Sequence, residues 1–357
     1  MASEAENFTP PLSLASVTIG VLTALEVEYA ACLDVFDPDR TGAEQNRRAT
    51  SGTVNCWLCR VRARHGGQHV VAISLLPDMG NNATALVASI LLQQCPGISH
   101  LIMCGIAGAV PHPEKPEDHV RLGDIVVSSG LGVIQYDRGK QRDLRKSVPS
   151  AENSAGKERF AWKILRWLKS RFAREVQNPA GQGTLASDPF VGFDFRGPPR
   201  PPCPVLLQAV KRIHADEELL GPRESRVWES KIEEFLRRSK EPGKWKRPSS
   251  TKDKLVDSPD GRGAGTRHPK DNRRRSGWPR VFRGPIGAAN IVQADPRRRD
   301  ALRERHDIRA VEMEGSGVAD AAWVANTGYL VVRGTCDYCN STKGDDWHHY
   351  AALIAAA

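Results

Sequence analysis

Short apolar runs bounded by polar or glycine-rich breaks recur along both ends of this chain and fade between them. Val17–Ala24 reads as a buried first strand, and Glu26, Val27, Glu28 and Tyr29 open the helix after it. Val54–Arg62 and His69–Leu76 predict two more strands joined by a turn at Gly66-Gly67. Asp78-Met-Gly-Asn-Asn82 is a tight loop before a helix over about Ala83–Gln94. Apolar residues at Ala85, Leu86, Ala88, Ile90 and Leu91 predict that most of this helix is buried. Leu101–Cys104 is a further strand running into Gly105-Ile-Ala-Gly108, and the turn at Gly123-Asp124 leads into a strand ending at Ser128. Short strands alternating with helices predict an α/β fold, a mixed or parallel sheet covered on both faces.

From about Gln141 to Pro279 the pattern decays. Phe160–Val176 has the spacing of a basic amphipathic helix, with Leu165, Leu168, Phe172 and Val176 on one side. Gly197–Pro204 is a proline-rich, stiff, extended linker. Val205–Leu219 and Ser225–Arg238 predict helices. Glu241–Arg280 is rich in Lys, Arg, Pro, Ser, Gly and Asp, a composition expected to leave a mobile loop because it buries too little apolar surface to offset ordering entropy. Order returns with a strand over Val281–Gly287, a helix near Asp295–Arg305, an apolar run closing at Val311, a small-residue helix Gly315–Asn326 and a buried strand at Leu330–Val332. The predicted organisation is a flexible N-terminus (1–16), the first part of a domain (17–140), an insert (141–280) and the second part of the same domain (281–357).

Composition sharpens this division. A hydrophobic content of 40% is low and 24 prolines are many for 357 residues, so part of the chain is not core. No apolar run reaches the roughly 18 residues that a membrane span needs. Met1–Pro11 is acidic and polar, unlike a signal peptide. With that start, eight cysteines predict free thiols in a reducing, cytoplasmic compartment. The net charge of +9 is local: Arg237–Arg280 holds 15 Lys or Arg against 5 Asp or Glu. The basicity belongs to the insert, where it either faces water or meets an acidic partner or nucleic acid.

Two cysteine pairs, Cys56/Cys59 and Cys336/Cys339, suggest a zinc site. Residues three apart on a strand face opposite ways, however, so no metal is predicted. His65, His69, His348 and His349 read as surface residues. Gly105-Ile-Ala-Gly108 lacks the spacing of a dinucleotide fingerprint and reads as a backbone left bare for close approach to a sugar or base.

The candidate chemistry lies near the C-terminal end. Glu312, Met313 and Glu314 stand at a strand end, and Asp337 closes the segment after the next strand. Carboxyl ends of adjacent strands in open α/β sheets converge on one crevice. Two carboxylates there, one gripping a diol and one donating a proton, suit glycosidic chemistry on a nucleoside.

In order, Ile19-Gly-Val-Leu-Thr-Ala-Leu-Glu-Val-Glu28, Gly105-Ile-Ala-Gly108, Leu122-Gly-Asp-Ile-Val-Val-Ser128, Val311-Glu-Met-Glu314 and Val332-Arg-Gly-Thr-Cys-Asp337 resemble blocks of the nucleoside phosphorylase/nucleosidase superfamily, purine branch. The resemblance covers about 17–140 and 281–357 and implies a phosphorylase-like three-layer α/β/α fold with a central mixed sheet, interrupted by the long basic insert. The chain is similar to methylthioadenosine/S-adenosylhomocysteine nucleosidases. Its end, from Cys336 through Lys343, Trp347 and Tyr350, resembles ATP-nucleosidase-like domains at the front of immune-type multidomain proteins.

The resemblance implies Asp337 as the acid at purine N7, Glu28 as the residue orienting the attacking water, Glu314 on the ribose hydroxyls and Met313 against the sugar face. It places Glu312, Gly105, Ala107, Gly108, Asn290 and Ile291 around the substrate, with Asn290 where an aromatic is usual, so base stacking is weaker or comes from elsewhere. Glu312 reads equally as a structural partner. Arg333 and Lys343 are the fixed-fold candidates to meet substrate phosphates. Met103 and Ile106 stand where phosphorylases carry an arginine and a hydroxyl, which favours hydrolysis over phosphorolysis. The implied activity is hydrolysis of an adenine nucleoside or nucleotide, ATP included, with a role in defence or stress signalling. It needs no cofactor and implies a homo-oligomer, with further domains or a regulatory partner. The alternatives are a phosphate-dependent phosphorylase and a nucleotide-sensing or nucleic-acid-interacting module without turnover.

Overall fold

A computed structural model describes residues 12–38, 48–51, 54–63, 66–142, 189–221, 224–256, 265–341 and 344–357. The elements in chain order are β1 (Val17–Thr23), α1 (Glu26–Phe36), β2 (Arg48–Ser51), β3 (Val54–Arg62), β4 (Gln68–Leu75), α2 (Asn81–Gln94), β5 (His100–Ala109), β6 (Ile125–Gln135), β7 (Gly139–Gln141) and β8 (Phe193–Phe195). They continue with α3 (Pro204–Leu220), α4 (Val227–Arg238), α5 (Pro242–Trp245), β9 (Val281–Ala288), α6 (Pro296–His306), β10 (Ala310–Glu312), α7 (Gly315–Val324), β11 (Gly328–Asp337) and α8 (His348–Ala356). A single 3-10 turn, Leu14–Ser16, precedes β1 within the N-terminus expected to be flexible.

Nine strands form one mixed sheet in the order β10-β9-β6-β11-β5-β1-β4-β3-β2. An extra pairing of β10 with β5 closes β5, β11, β6, β9 and β10 into a ring. Alternation along β1 decides which layer each residue serves. Val21 joins Ala31 and Cys32 of α1 and Ala352 and Ala355 of α8 on one face, whereas Leu22 joins Val87, Ala88 and Leu91 of α2 and Val318 of α7 on the other. The result is a three-layer α/β/α arrangement.

Cys56 and Cys59 on β3 fall in these two different apolar clusters. Burial pushes the Cys56 thiol up to about 12. Among the described residues no three His, Cys, Asp or Glu side chains are grouped to hold a metal ion, and no helix is long and apolar enough to cross a membrane.

The chain divides into two units, Met1–Arg138 with Gly197–Ala357, and Gly139–Arg196. In the smaller one, β7 pairs antiparallel with β8, and Phe195 packs at a tilt against Phe190 and edge-on against Phe193, with centroids 5.1 Å apart in both pairs. The helix expected at Phe160–Val176 lies outside the described residues.

The boundary expected between residues 280 and 281 is not where the larger unit resumes, because it resumes at Gly197. The mobile loop expected over Glu241–Arg280 is also corrected in its described parts. Leu255 is fully buried, and Trp245 packs edge-on against Phe235 with centroids 4.8 Å apart. Arg274 bonds both oxygens of fully buried Asp124 at 2.8 and 2.6 Å, and Arg280 pairs with Asp271 at 2.6 Å. Composition counts every charge as solvated, whereas buried carboxylates neutralise these arginines. Arg274→Met leaves Asp124 buried with only the amides of Arg121 and Arg280 as donors. The expected loss is about 3 kcal/mol of folding free energy, read from the urea midpoint of the variant against wild type.

Candidate active site

The first turn of α1 sets the position of Glu28. A carboxylate there meets the positive end of the helix dipole and the free amides of the turn. Its Oε2 accepts from the Ala24 and Leu25 amides at 2.8 and 2.9 Å, and its Oε1 from the Ile106 amide at 2.7 Å. Burial pushes its pKa up; Arg333 and the Ile106 and Leu25 amides pull against that shift without cancelling it. Gly105 makes this approach possible, since a Cβ there would stand 2.3 Å from Glu28 Oε1 and 2.5 Å from Arg333 Nη1. The glycine therefore makes room for protein side chains, not for a ligand as the sequence suggested, and Gly105 does not line the cleft.

Arg333 sits midway along β11 with no solvent exposure. Its Nη2 bonds Glu312 Oε2 and, at 3.0 Å, Glu314 Oε2; its Nη1 donates to the Ile106 carbonyl at 3.3 Å and lies 3.9 Å from Glu28 Oε1. This guanidinium is the shared counter-ion of three carboxylates and holds them together. Arg333 does not line the cleft, so the expectation that it meets substrate phosphate is corrected. Its charge is already spent inside the protein.

Glu312 closes β10 and turns back to accept from the amides of Glu314 and Gly315 at 3.0 and 2.8 Å, capping the start of α7. Burial raises its pKa against the pull of Arg333. Glu314, the residue before α7, accepts from the Gly80 amide at 3.2 Å, which ties the loop ahead of α2 to the site. Asp337 ends β11, with Oδ1 accepting from the Cys339 amide at 2.7 Å and Oδ2 from the Cys336 thiol at 3.4 Å.

The two strands that carry these acids are not neighbours, contrary to expectation. β5 lies between them, antiparallel to β10 and parallel to β11, and Gly108 pairs with both Val311 and Asp337. A Cβ on Gly108 would lie 2.2 Å from Cys339 Sγ and 3.1 Å from Asp337 Oδ1. The bare backbone at Gly108 is what lets the two strand ends converge.

These groups border one cleft of about 180 Å³. It is lined by Glu28, Ala107, Gly108, Ile291, Glu312, Met313, Glu314 and Asp337, all anticipated from sequence. Asn290 is not among the lining residues; its Oδ1 accepts from the Asn81 amide at 2.9 Å and so caps α2, which corrects its placement in the base pocket. Lys343 lies outside the described residues. His348 lines the cleft although it reads as a surface residue, while His349 packs edge-on against Trp245 at 5.0 Å. Tyr136, Gln293, Met79 and Val292 were also missed. Tyr136 carried a signal, because Tyr136-Asp137 closes an apolar strand with two polar groups.

Residues 258–356 match the Phosphorylase superfamily. Along 98% of its length the chain is 27% identical to a nucleotide-binding leucine-rich repeat (NLR)-like protein of Hyaloscypha variabilis, covering 29% of that protein. Over 77 residues, 21% of this chain and 15% of the relative, it is 36% identical to the ATP nucleosidase Cap17 of Escherichia coli. The chain thus spans less than a third of the length of these curated relatives. Its fold is similar to that of the 5′-methylthioadenosine/S-adenosylhomocysteine nucleosidase of Helicobacter pylori, with a TM-score of 0.52, 13% identity, and coverage of 96% of this chain and 95% of the other.

Proposed function

We propose that this chain, a member of the nucleoside phosphorylase/nucleosidase superfamily, hydrolyses the N-glycosidic bond of an adenine nucleoside or nucleotide. The observation that carries the reading is the convergence of Glu28, Glu314 and Asp337 on one cleft. Glu314 accepts from the ribose hydroxyls, and Met313 packs on the sugar. Glu28 takes a proton from water as its oxygen bonds to C1′. The bond from C1′ to N9 breaks, and Asp337 supplies a proton at N7, so that adenine leaves neutral. A carboxylate whose pKa is raised by burial is the stronger base for the first proton.

Water is favoured over phosphate as nucleophile because Glu28 already occupies the Ile106 amide. That amide would otherwise serve an anion, and the carboxylate there repels a phosphate dianion. Apolar Met79, Ile291 and Val292 at the exposed side of the cleft favour an uncharged 5′ group. The partial match to an ATP nucleosidase supports ATP as a second reading. With it go action in the cytoplasm, a homo-oligomer and a role in defence within a longer protein.

Adenine release from adenosine, methylthioadenosine, AMP and ATP, each with and without inorganic phosphate, tests these readings. The expected result is release that does not depend on phosphate. The ratio of methylthioadenosine to ATP turnover then reads the 5′ site. Strict phosphate dependence would assign a phosphorylase, and no release from any substrate would leave a binding module.

A further inference from the structure

A row of hydrogen bonds joins the basic segment to the residue after Asp337. The His112 amide donates to His119 Nδ1 at 3.1 Å, and His119 Nε2 lies 2.9 Å from His268 Nδ1. His268 Nε2 lies 3.2 Å from both the carbonyl oxygen and Oδ1 of Asp253, and that Oδ1 accepts from the Tyr338 hydroxyl at 2.7 Å. His119 and Tyr338 are buried. The pairing of Leu255 with Thr266 brings Asp253 and His268 opposite each other.

This row fixes both tautomers. An amide can only donate, so His119 Nδ1 accepts and its proton sits on Nε2; His268 Nδ1 then accepts, and its proton on Nε2 points to Asp253. Each ring is neutral and each acceptor nitrogen is already used. One further proton on either ring sets two donors face to face, at the His112 amide or between the rings, and breaks the row. The charges around His119 add to this: Arg121 and Arg274 repel a second proton, and Asp124 is already bonded to Arg274. Burial first, then His268, Arg121 and Arg274, pushes the His119 pKa down to about 3. Asp253, itself faced by Arg121 and Arg247, attracts charge on His268, but that proton would have to enter between the rings. The Tyr338 ring closes the other side, 6.2 Å from His268.

Tyr338 directly follows Asp337, whose Oδ1 is held by the Cys339 amide on the far side of Tyr338. The row therefore anchors the turn that aims the acid. The geometry points to Asp253, His268 and His119 as positioning residues for Asp337, forming a clasp that one proton opens and so freeing the turn beside the acid. The effect on turnover rests on the reading of Asp337 as the acid; the clasp itself does not.

A base whose folded pKa lies below its ordinary 6.5 stabilises the closed form above 6.5, and that contribution is lost as pH falls toward about 3. An opening that takes up one proton grows about tenfold per pH unit across that window. Hydrogen exchange of residues 337–341, read by mass spectrometry and corrected for intrinsic rate, should therefore lose about tenfold in protection per pH unit below 6.5 in wild type. The double variant His119→Gln with His268→Gln has no ring to protonate, so its profile should be flat. Its kcat on the best adenine nucleoside should also fall less steeply with acid than that of wild type. Wild-type protection that does not change with pH would overturn the proposal without recourse to a variant, as would equal slopes in wild type and variant. Falling protection with no base released from any substrate would support the clasp and remove the acid reading of Asp337.

Discussion

Arg333→Met is expected to fold poorly at neutral pH and to recover as the solution is made acidic, the reverse of ordinary acid denaturation. In the native protein one guanidinium, without solvent exposure, is shared by Glu312, Glu314 and Glu28. Methionine preserves most of the volume and removes the only cation among these contacts. Removing one partner of a buried ion pair costs about 3–5 kcal/mol, a large share of a typical domain's stability of about 5–15 kcal/mol.

The pH dependence follows from the two glutamates whose pKa values burial already raises above the usual 4.5. Arg333 is the largest force opposing that rise in both, so its loss moves both further up. A group whose folded pKa exceeds its unfolded value stabilises the fold below the unfolded pKa, and that contribution disappears as pH rises through the folded pKa. Melting curves of the variant between pH 4 and 8 should therefore show stability falling with rising pH, with a much smaller trend in wild type. A melting temperature equal to wild type at pH 8 would show that the three carboxylates do not need their cation.

Arg333 also marks the limit of what the sequence made legible. Val331 and Val332 announced a buried strand, and an arginine next to them read as its end. A guanidinium is almost never fully buried unless paired, so an arginine inside such a strand, in a chain with acids at two other strand ends, was itself a sign of an internal ion cluster. The acids were legible because each stands at the boundary of an apolar run, where chain direction alone brings it toward the crevice. Asn290 was misplaced because sequence order cannot say whether a polar side chain after a strand turns to a ligand or back to cap a helix. Gly105 and Gly108 were legible as close approaches, but what approaches is Glu28 in one case and Cys339 with Asp337 in the other. The basic segment was misread for a related reason, since composition counts charges and cannot show that Asp124 and Asp271 lie ready to receive them.

Asp337→Asn is expected to abolish most catalysis while leaving the fold intact. The asparagine carbonyl can still accept from the Cys339 amide, and the Cys336 thiol contact to Oδ2 that is lost is a weak one. The amide can also still donate a hydrogen bond to N7, so KM should change little. It cannot transfer a proton, and positioned proton transfer is worth about 10²–10⁴ in rate. The loss should therefore fall on kcat, and a substrate whose base needs no proton should escape it. An N7-methylated purine nucleoside carries that activation already, because its positive ring leaves as a neutral base when the glycosidic bond breaks. Hydrolysis of this substrate by the variant should approach the wild-type rate, whereas adenosine hydrolysis should fall by the full factor. Equal losses on both substrates would show that Asp337 orients the base or the loop and that the proton comes from another group.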